Sequence, residues 1–175
     1  CKSVVQQLKN ASKIPMLVCA DLEGGVTSGN MTTSFPNQLG CAAANSLDAY
    51  SKALEVLAHE LLSIGINWTF SPVLDVNDSF HSAIVGTRSY GNNQQLISDM
   101  ANAHIRVFQN KNIATTAKHW PGEGFDARDQ HLVTTINPLS AKKWDEVFGQ
   151  LYTRAFDAGV LSVMSAHIAL PDFAA

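Results

Sequence analysis

The amino-acid sequence predicts an α/β protein, a partial (β/α)8 TIM-type barrel of about four βα units, and three observations predict it. Apolar runs alternate with amphipathic ones along the chain, the pattern of βα units over a parallel sheet. The runs read as strands are apolar throughout, as strands covered on both faces must be. The polar groups fall just after these runs, at the carboxyl ends of the strands, where a barrel of this kind builds its site. A complete barrel needs about 250 residues. At 175 residues, the whole chain, 1–175, is therefore expected to be a fragment of a single barrel domain.

Each element has its own warrant. Val4 to Lys13 reads as the tail of a helix, and Pro15 to Ala20 as a short buried strand entering the turn Asp21-Leu-Glu-Gly-Gly25. Leu47, Tyr50, Leu54, Leu57, Leu61 and Ile64 recur at helical spacing, and Gly65 is a stop signal. Ile66 to Phe70 leads through Ser71-Pro72 to Val73-Leu-Asp-Val76, the second strand region. A second helix is predicted over about Asn93 to Lys111, with Ile97, Met100, Ala101, His104, Ile105 and Phe108 on one face. Ile113 to Ala117 is the third strand, followed by a long polar loop from Lys118 to about Asn137. Ser140 can cap a third helix from Ala141 to Ala158, and Gly159 to Ser165 makes the fourth strand.

Composition narrows the functional classes. With 46% hydrophobic and 15% charged residues, the chain has the make-up of a globular domain. A net charge of −3, a pI near 6.0 and scattered basic residues leave no footprint for nucleic acid. No apolar stretch approaches the roughly 18 residues that cross a bilayer, so no membrane is expected as a partner. Three cysteines, Cys1, Cys19 and Cys41, are odd in number and sit among apolar or small residues, which points to a reducing compartment, the cytoplasm by default. A lipid-bearing Cys1 is disfavoured because no lipobox accompanies it.

The strand-end loops hold Asp21 and Glu23, Asp75, Arg88, Lys118 and His119, Glu123, Asp126, Asp129 and His131, then His167. A cleft so lined offers carboxylates and cationic donors to a neutral polyhydroxylated ligand. Lys118-His-Trp-Pro-Gly-Glu-Gly124, then four residues, then Asp129-Gln-His131, resembles the signature of glycoside hydrolase family 3, in its β-N-acetylglucosaminidase branch. Asp21 to Gly25, Phe70 to Val76, Gly86 to Gly91 and Met164 to His167 match the same family in the expected order. The resemblance covers about residues 14 to 171.

What the resemblance implies is specific. Asp21, Arg88, Lys118 and His119 hold the sugar in the first subsite. His131, oriented by Asp129, is the general acid/base, in place of the second carboxylate usual in glycosidases. An imidazole suits the task because its ordinary pKa near ~6.5 lies close to the working pH, and a carboxylate partner fixes its tautomer. Asp129 and His131 meet only if their segment turns, and Gly122 and Gly124 upstream suit a mobile loop. The implied reaction is retaining hydrolysis of terminal non-reducing β-linked sugars, β-N-acetylglucosaminides first, with carbohydrate as the partner and no cofactor or metal. Phosphate as an alternative acceptor stays open. The sequence departs from the family at Val26, where an arginine is usual. The family's nucleophilic aspartate is expected on a strand beyond Ala175.

Other readings stand beside this one. Without the motif, Asp129 and His131 fit a plain polar loop. His119, Glu123, Asp126, Asp129 and His131 include metal-ligand types, though at no recognised spacing. Arg88 fits a structural ion pair to Asp75 or Asp21, and Lys118 with His119 a structural pair closing the barrel mouth. His59 and His104 fall on helices and read as structural; Trp120 is a candidate to flank a sugar ring. The rival functions are a β-glucosidase-type relative and a non-catalytic sugar-binding fragment or pseudoenzyme. Open strand edges of a partial barrel predict self-association.

Overall fold

The computed structural model describes residues 2–24, 32–79 and 81–173. Cys1 and Val26, and with them the lipidation and missing-arginine expectations, lie outside those residues. The strands in chain order are β1 (Cys19–Ala20), β2 (Trp68–Thr69), β3 (Thr116–Trp120), β4 (Thr135–Ile136), β5 (Ser162–Ser165) and β6 (Ile168–Ala169). The helices are α1 (Lys2–Ala11), α2 (Gln38–Ala43), α3 (Leu47–Ile64), α4 (Gln94–Asn110), α5 (Ala141–Trp144) and α6 (Gln150–Asp157). A wider, π-type turn over Asp145–Gly149 joins α5 to α6, so the predicted third helix is one continuous helical run.

The four predicted strands are present and parallel, each beside its neighbour in sequence. β1 pairs with β2, the β2 region meets the third strand at Trp68 with Ala114 and Val73 with Lys118, and β3 pairs with β5. β4 and β6 form a further parallel pair outside this series. Two differences matter. The third strand runs on to Trp120, so Lys118 and His119 belong to it and not to a loop. Between Lys118 and Trp120 the register with β5 shifts, a bulge that turns consecutive side chains toward one site.

Local chemistry explains the helix boundaries. Ser46 accepts from Ala49 N at 3.2 Å and Asn93 from Leu96 N at 3.0 Å, each satisfying an otherwise unpaired first-turn amide. Gly65 ends α3 in the left-handed region at φ 94°. The apolar stripes face inward: Tyr50, Leu54, Leu57 and Leu61 of α3 are buried, as are all six predicted residues of α4. Leu47, expected on that stripe, is instead exposed at the first turn. His104 is a core residue as expected, bonded through Nδ1 to Tyr50 Oη and through Nε2 to Ser71 Oγ. Burial pushes its pKa down to about 3, so it packs as a neutral ring. His59 is exposed on α3.

Candidate active site

The carboxyl ends of the parallel strands open into one cleft of about 710 Å³. Its walls carry Asp21, Glu23, Arg88, Lys118, His119, Gln130, His131 and His167, with Phe70 and Met164 as apolar surface. Five of the six predicted site residues therefore line one cavity, and the sixth, Asp129, stands behind His131.

The cleft centres on Lys118, an almost fully buried ammonium on β3. It donates to Asp21 Oδ1 at 2.8 Å and to Glu23 Oε1 at 2.5 Å. Burying a lone ammonium costs several kcal/mol or more, so two carboxylates here are a condition of folding as much as a feature of the site. Glu23 is also forked by Arg88, with Nε to Oε2 at 2.6 Å and Nη2 to Oε1 at 2.8 Å. Arg88, presented by the short turn Gly86–Arg88, thus pairs with Glu23 and not with the Asp75 or Asp21 considered from sequence. Burial raises the Glu23 pKa, but the Arg88 hydrogen bonds and the Lys118 and Arg88 charges outweigh it and hold the group at about 2.

His119 is oriented from both sides. Arg88 Nη2 lies 3.2 Å from its Nε2 and Asp75 Oδ2 lies 2.6 Å from its Nδ1. A guanidinium only donates, so Nε2 accepts and Nδ1–H donates to Asp75. Asp75 Oδ1 also takes the backbone N–H groups of His119 and Glu123, at 3.2 and 2.7 Å. Asp75 and Glu23 are the residues whose central place sequence reasoning left unassigned. Their position at strand ends was visible, but nothing in one dimension showed which charge each would meet.

The loop after β3 turns sharply, as the acid/base reading requires. Asp129 Oδ1 accepts from the His131 backbone N–H at 2.8 Å and from His131 Nδ1 at 2.6 Å. Those hydrogen bonds keep the Asp129 pKa below its ordinary value. Among the described residues no group bonds His131 Nε2, and the imidazole is exposed at the cleft. The glycines upstream serve close approach more than mobility. Gly124 has φ +114°, and a Cβ there would meet Val76 O at 1.8 Å.

The metal ligand set weighed from sequence does not converge, since Asp126 binds Arg128 and the Ile136 amide while Asp129 binds His131. Asp75, His119 and Glu123 do lie within 4.8 Å of one another. A cation among them would have to displace the His119 Nδ1 proton beside a guanidinium already on that ring, so the trio fits hydrogen bonding better than ligation. Trp120 does not flank the cleft. It packs edge-on against Trp144 and Tyr152, with ring centroids 5.1 and 4.8 Å away. A strand residue that follows the bulge points to the helix side, which is why the sugar-stacking expectation fails.

Comparison with known proteins places this geometry. A β-N-acetylglucosaminidase/β-glucosidase of Cellulomonas fimi is 36% identical over 172 residues, 98% of this chain and 30% of that protein. The structure of the β-glucoside phosphorylase BglX bound to 2FGlc superposes with a TM-score of 0.92 at 35% identity, covering 98% of this chain and 31% of that one. A family 3 β-N-acetylglucosaminidase from Paenibacillus sp. does so at 0.90 and 28% identity, covering 98% and 34%. The chain thus spans about a third of the length of these relatives. Their agreement over nearly every residue identifies the four parallel strands as part of a TIM-type α/β barrel. The model of the glycosyl hydrolase family 3 N-terminal domain matches residues 2–175, and the chain belongs to that family.

Proposed function

We propose that the protein carrying this chain is a retaining β-glycosidase that removes terminal non-reducing sugars, with β-N-acetylglucosaminides the leading substrate class. Residues 1–175 form part of its single catalytic barrel domain. Asp21, Arg88, Lys118 and His119 hold the sugar hydroxyls, Asp129 orients His131, and His131 Nε2 delivers a proton to the departing oxygen and later withdraws one from the acceptor. One observation carries this reading: an imidazole fixed at Nδ1 by a carboxylate faces the same cleft as a fully ion-paired, preorganised polar cluster. Fixed dipoles and charges of this kind cost no reorganisation when the glycosyl bond breaks. The test is turnover of nitrophenyl β-N-acetylglucosaminide against nitrophenyl β-glucoside by the full-length protein. No release from either, with intact sugar binding, would leave the non-catalytic reading.

A second reading rests on the chemistry of the acid/base. A neutral imidazole does not repel an anionic acceptor as a carboxylate would, so phosphate is able to take the place of water and give a glycosyl phosphate. A structural relative is named a β-glucoside phosphorylase. Product analysis with and without inorganic phosphate decides between free sugar and sugar phosphate.

A further inference from the structure

The segment from Asp126 to Thr134 that carries the proposed acid/base has a single buried residue, Gln130, at 5% exposure. Its neighbours Asp129 and His131 are half-buried and exposed, respectively, while its amide is engaged at both ends. The His167 backbone N–H donates to Gln130 Oε1 at 2.9 Å. Because that amide only donates, the Gln130 oxygen must face it, and the NH2 end is thereby aimed at Glu123, where Nε2 donates to Oε2 at 2.7 Å. Glu123 is itself buried, and its backbone N–H donates to Asp75 Oδ1, the same oxygen that takes the His119 amide. One chain of hydrogen bonds therefore runs from the sugar-holding imidazole to the residue beside the acid/base.

We infer that Gln130 and Glu123 form a latch that fixes the reach of His131 over the sugar subsite, making Gln130 a positioning residue for proton transfer. The inference rests on the acid/base reading of His131. Physically, an exposed loop held only by its own short-range turn samples many positions, and a misplacement of about 1 Å can cost on the order of 10²-fold in rate. The Asp129 turn fixes the imidazole relative to its own loop; Asp126 and Ala127 tie the start of that loop to the Ile136 and Ala83 amides, and Gln130 ties its middle, beside the imidazole, to the strand ends. The carboxylate end of the latch is held in a crowded field, with Asp75 and Asp129 opposing its charge and Arg88 favouring it. His119, linked through Asp75, completes its titratable surroundings.

The experiment compares Gln130→Ala, Glu123→Ala and Glu123→Gln in the full-length protein. Both alanine variants are expected to lower kcat on an alkyl β-glycoside, whose poor leaving group needs the imidazole proton, about tenfold or more. On a dinitrophenyl glycoside kcat/KM, which reports the first step alone and needs no proton delivered, should move less than about twofold. Glu123→Gln keeps an oxygen for the Gln130 amide and should retain the parent selectivity. Amide hydrogen exchange over residues 129–133 gives a readout independent of turnover, faster in the alanine variants and unchanged in Glu123→Gln.

Parent-like selectivity and exchange in both alanine variants overturn the latch even where His131→Ala behaves as an acid/base variant should. Glu123→Gln as damaging as Glu123→Ala overturns it too, because charge and not the hydrogen bond would then be what matters. His131→Ala run alongside separates the failures. If it spares alkyl glycosides, the acid/base reading falls and the positioning role falls with it.

Discussion

At the scale of single residues, the cleft is a place where burial and charge pull against each other, and pH should reveal which wins. Glu23 has its folded pKa depressed from 4.5 to about 2, so its ion pairs with Arg88 and Lys118 stabilise the fold fully above pH 4.5. That contribution is lost as pH falls through about 2, and melting temperatures should drop over this window by the equivalent of about 2–3 kcal/mol, a dependence that Glu23→Gln removes. Glu123 runs the other way. Burial, then the Asp75 charge, push it up from 4.5 to about 7. Its protonated form suits the fold, so stability is fully present below pH 4.5 and falls as pH rises through 7. Glu123→Gln should therefore melt higher than the parent at pH 8, by roughly 1–3 kcal/mol, and match it near pH 4.5. Equal melting at both values would show that the carboxyl is not strained by its neighbours. Asp129→Asn keeps the imidazole but replaces its anionic partner, so turnover of alkyl glycosides should fall less than in His131→Ala, where general acid/base loss is typically about 10²–10⁴-fold.

Elements matter here through where they stop. The bulge that ends β3 is what presents Lys118 and His119 together, and the chain can leave it only by passing tightly against the Val76 backbone. Gly124→Ala would place a methyl 1.8 Å from Val76 O at φ +114°. A loss of about 2–3 kcal/mol is expected, together with impaired turnover, because the same displacement moves the His131 loop. Ser46→Ala, by contrast, removes one cap hydrogen bond at 3.2 Å from α3 and should cost about 1 kcal/mol with turnover unchanged. Thermal melts of the two variants beside their rates distinguish an element that shapes the site from one that only supports it.

For the whole molecule, β1 and β5 stand at the two ends of the strand series among the described residues, and apolar side chains lie bare near them: Leu17 and Leu161 are 68% and 69% exposed, and Val163 on β5 is 40% exposed. Unpaired strand edges beside apolar surface favour association in water, so the 175-residue chain alone should scatter light as concentration-dependent oligomers; a stable monomer would count against this. The same chain alone should give no measurable glycosidase turnover. Asp21 and Glu23, the carboxylates lining the cleft among the described residues, are both held by Lys118, and a retaining mechanism needs a further carboxylate as nucleophile. Release of nitrophenol by this polypeptide would overturn that assignment of roles. No helix among the described residues is long and apolar enough to cross a membrane.

The periodic parts of this fold were legible in one dimension because periodicity is local. The six-residue stripe of α4, the exact span of α3 and the order of four parallel strands all follow from spacing, caps and apolar runs that the chain carries in itself. The Lys118 to His131 motif likewise marked residues that line the cleft, since they lie within one loop and one strand. Pairings across the sheet were not legible. That Arg88 forks Glu23, that Asp75 holds His119, and that Gln130 reaches Glu123 depend on which strand ends converge and on a bulge that reorients two neighbours. Charge partners in a buried cleft are chosen by distance and desolvation in three dimensions, and those quantities exist only once the chain has folded.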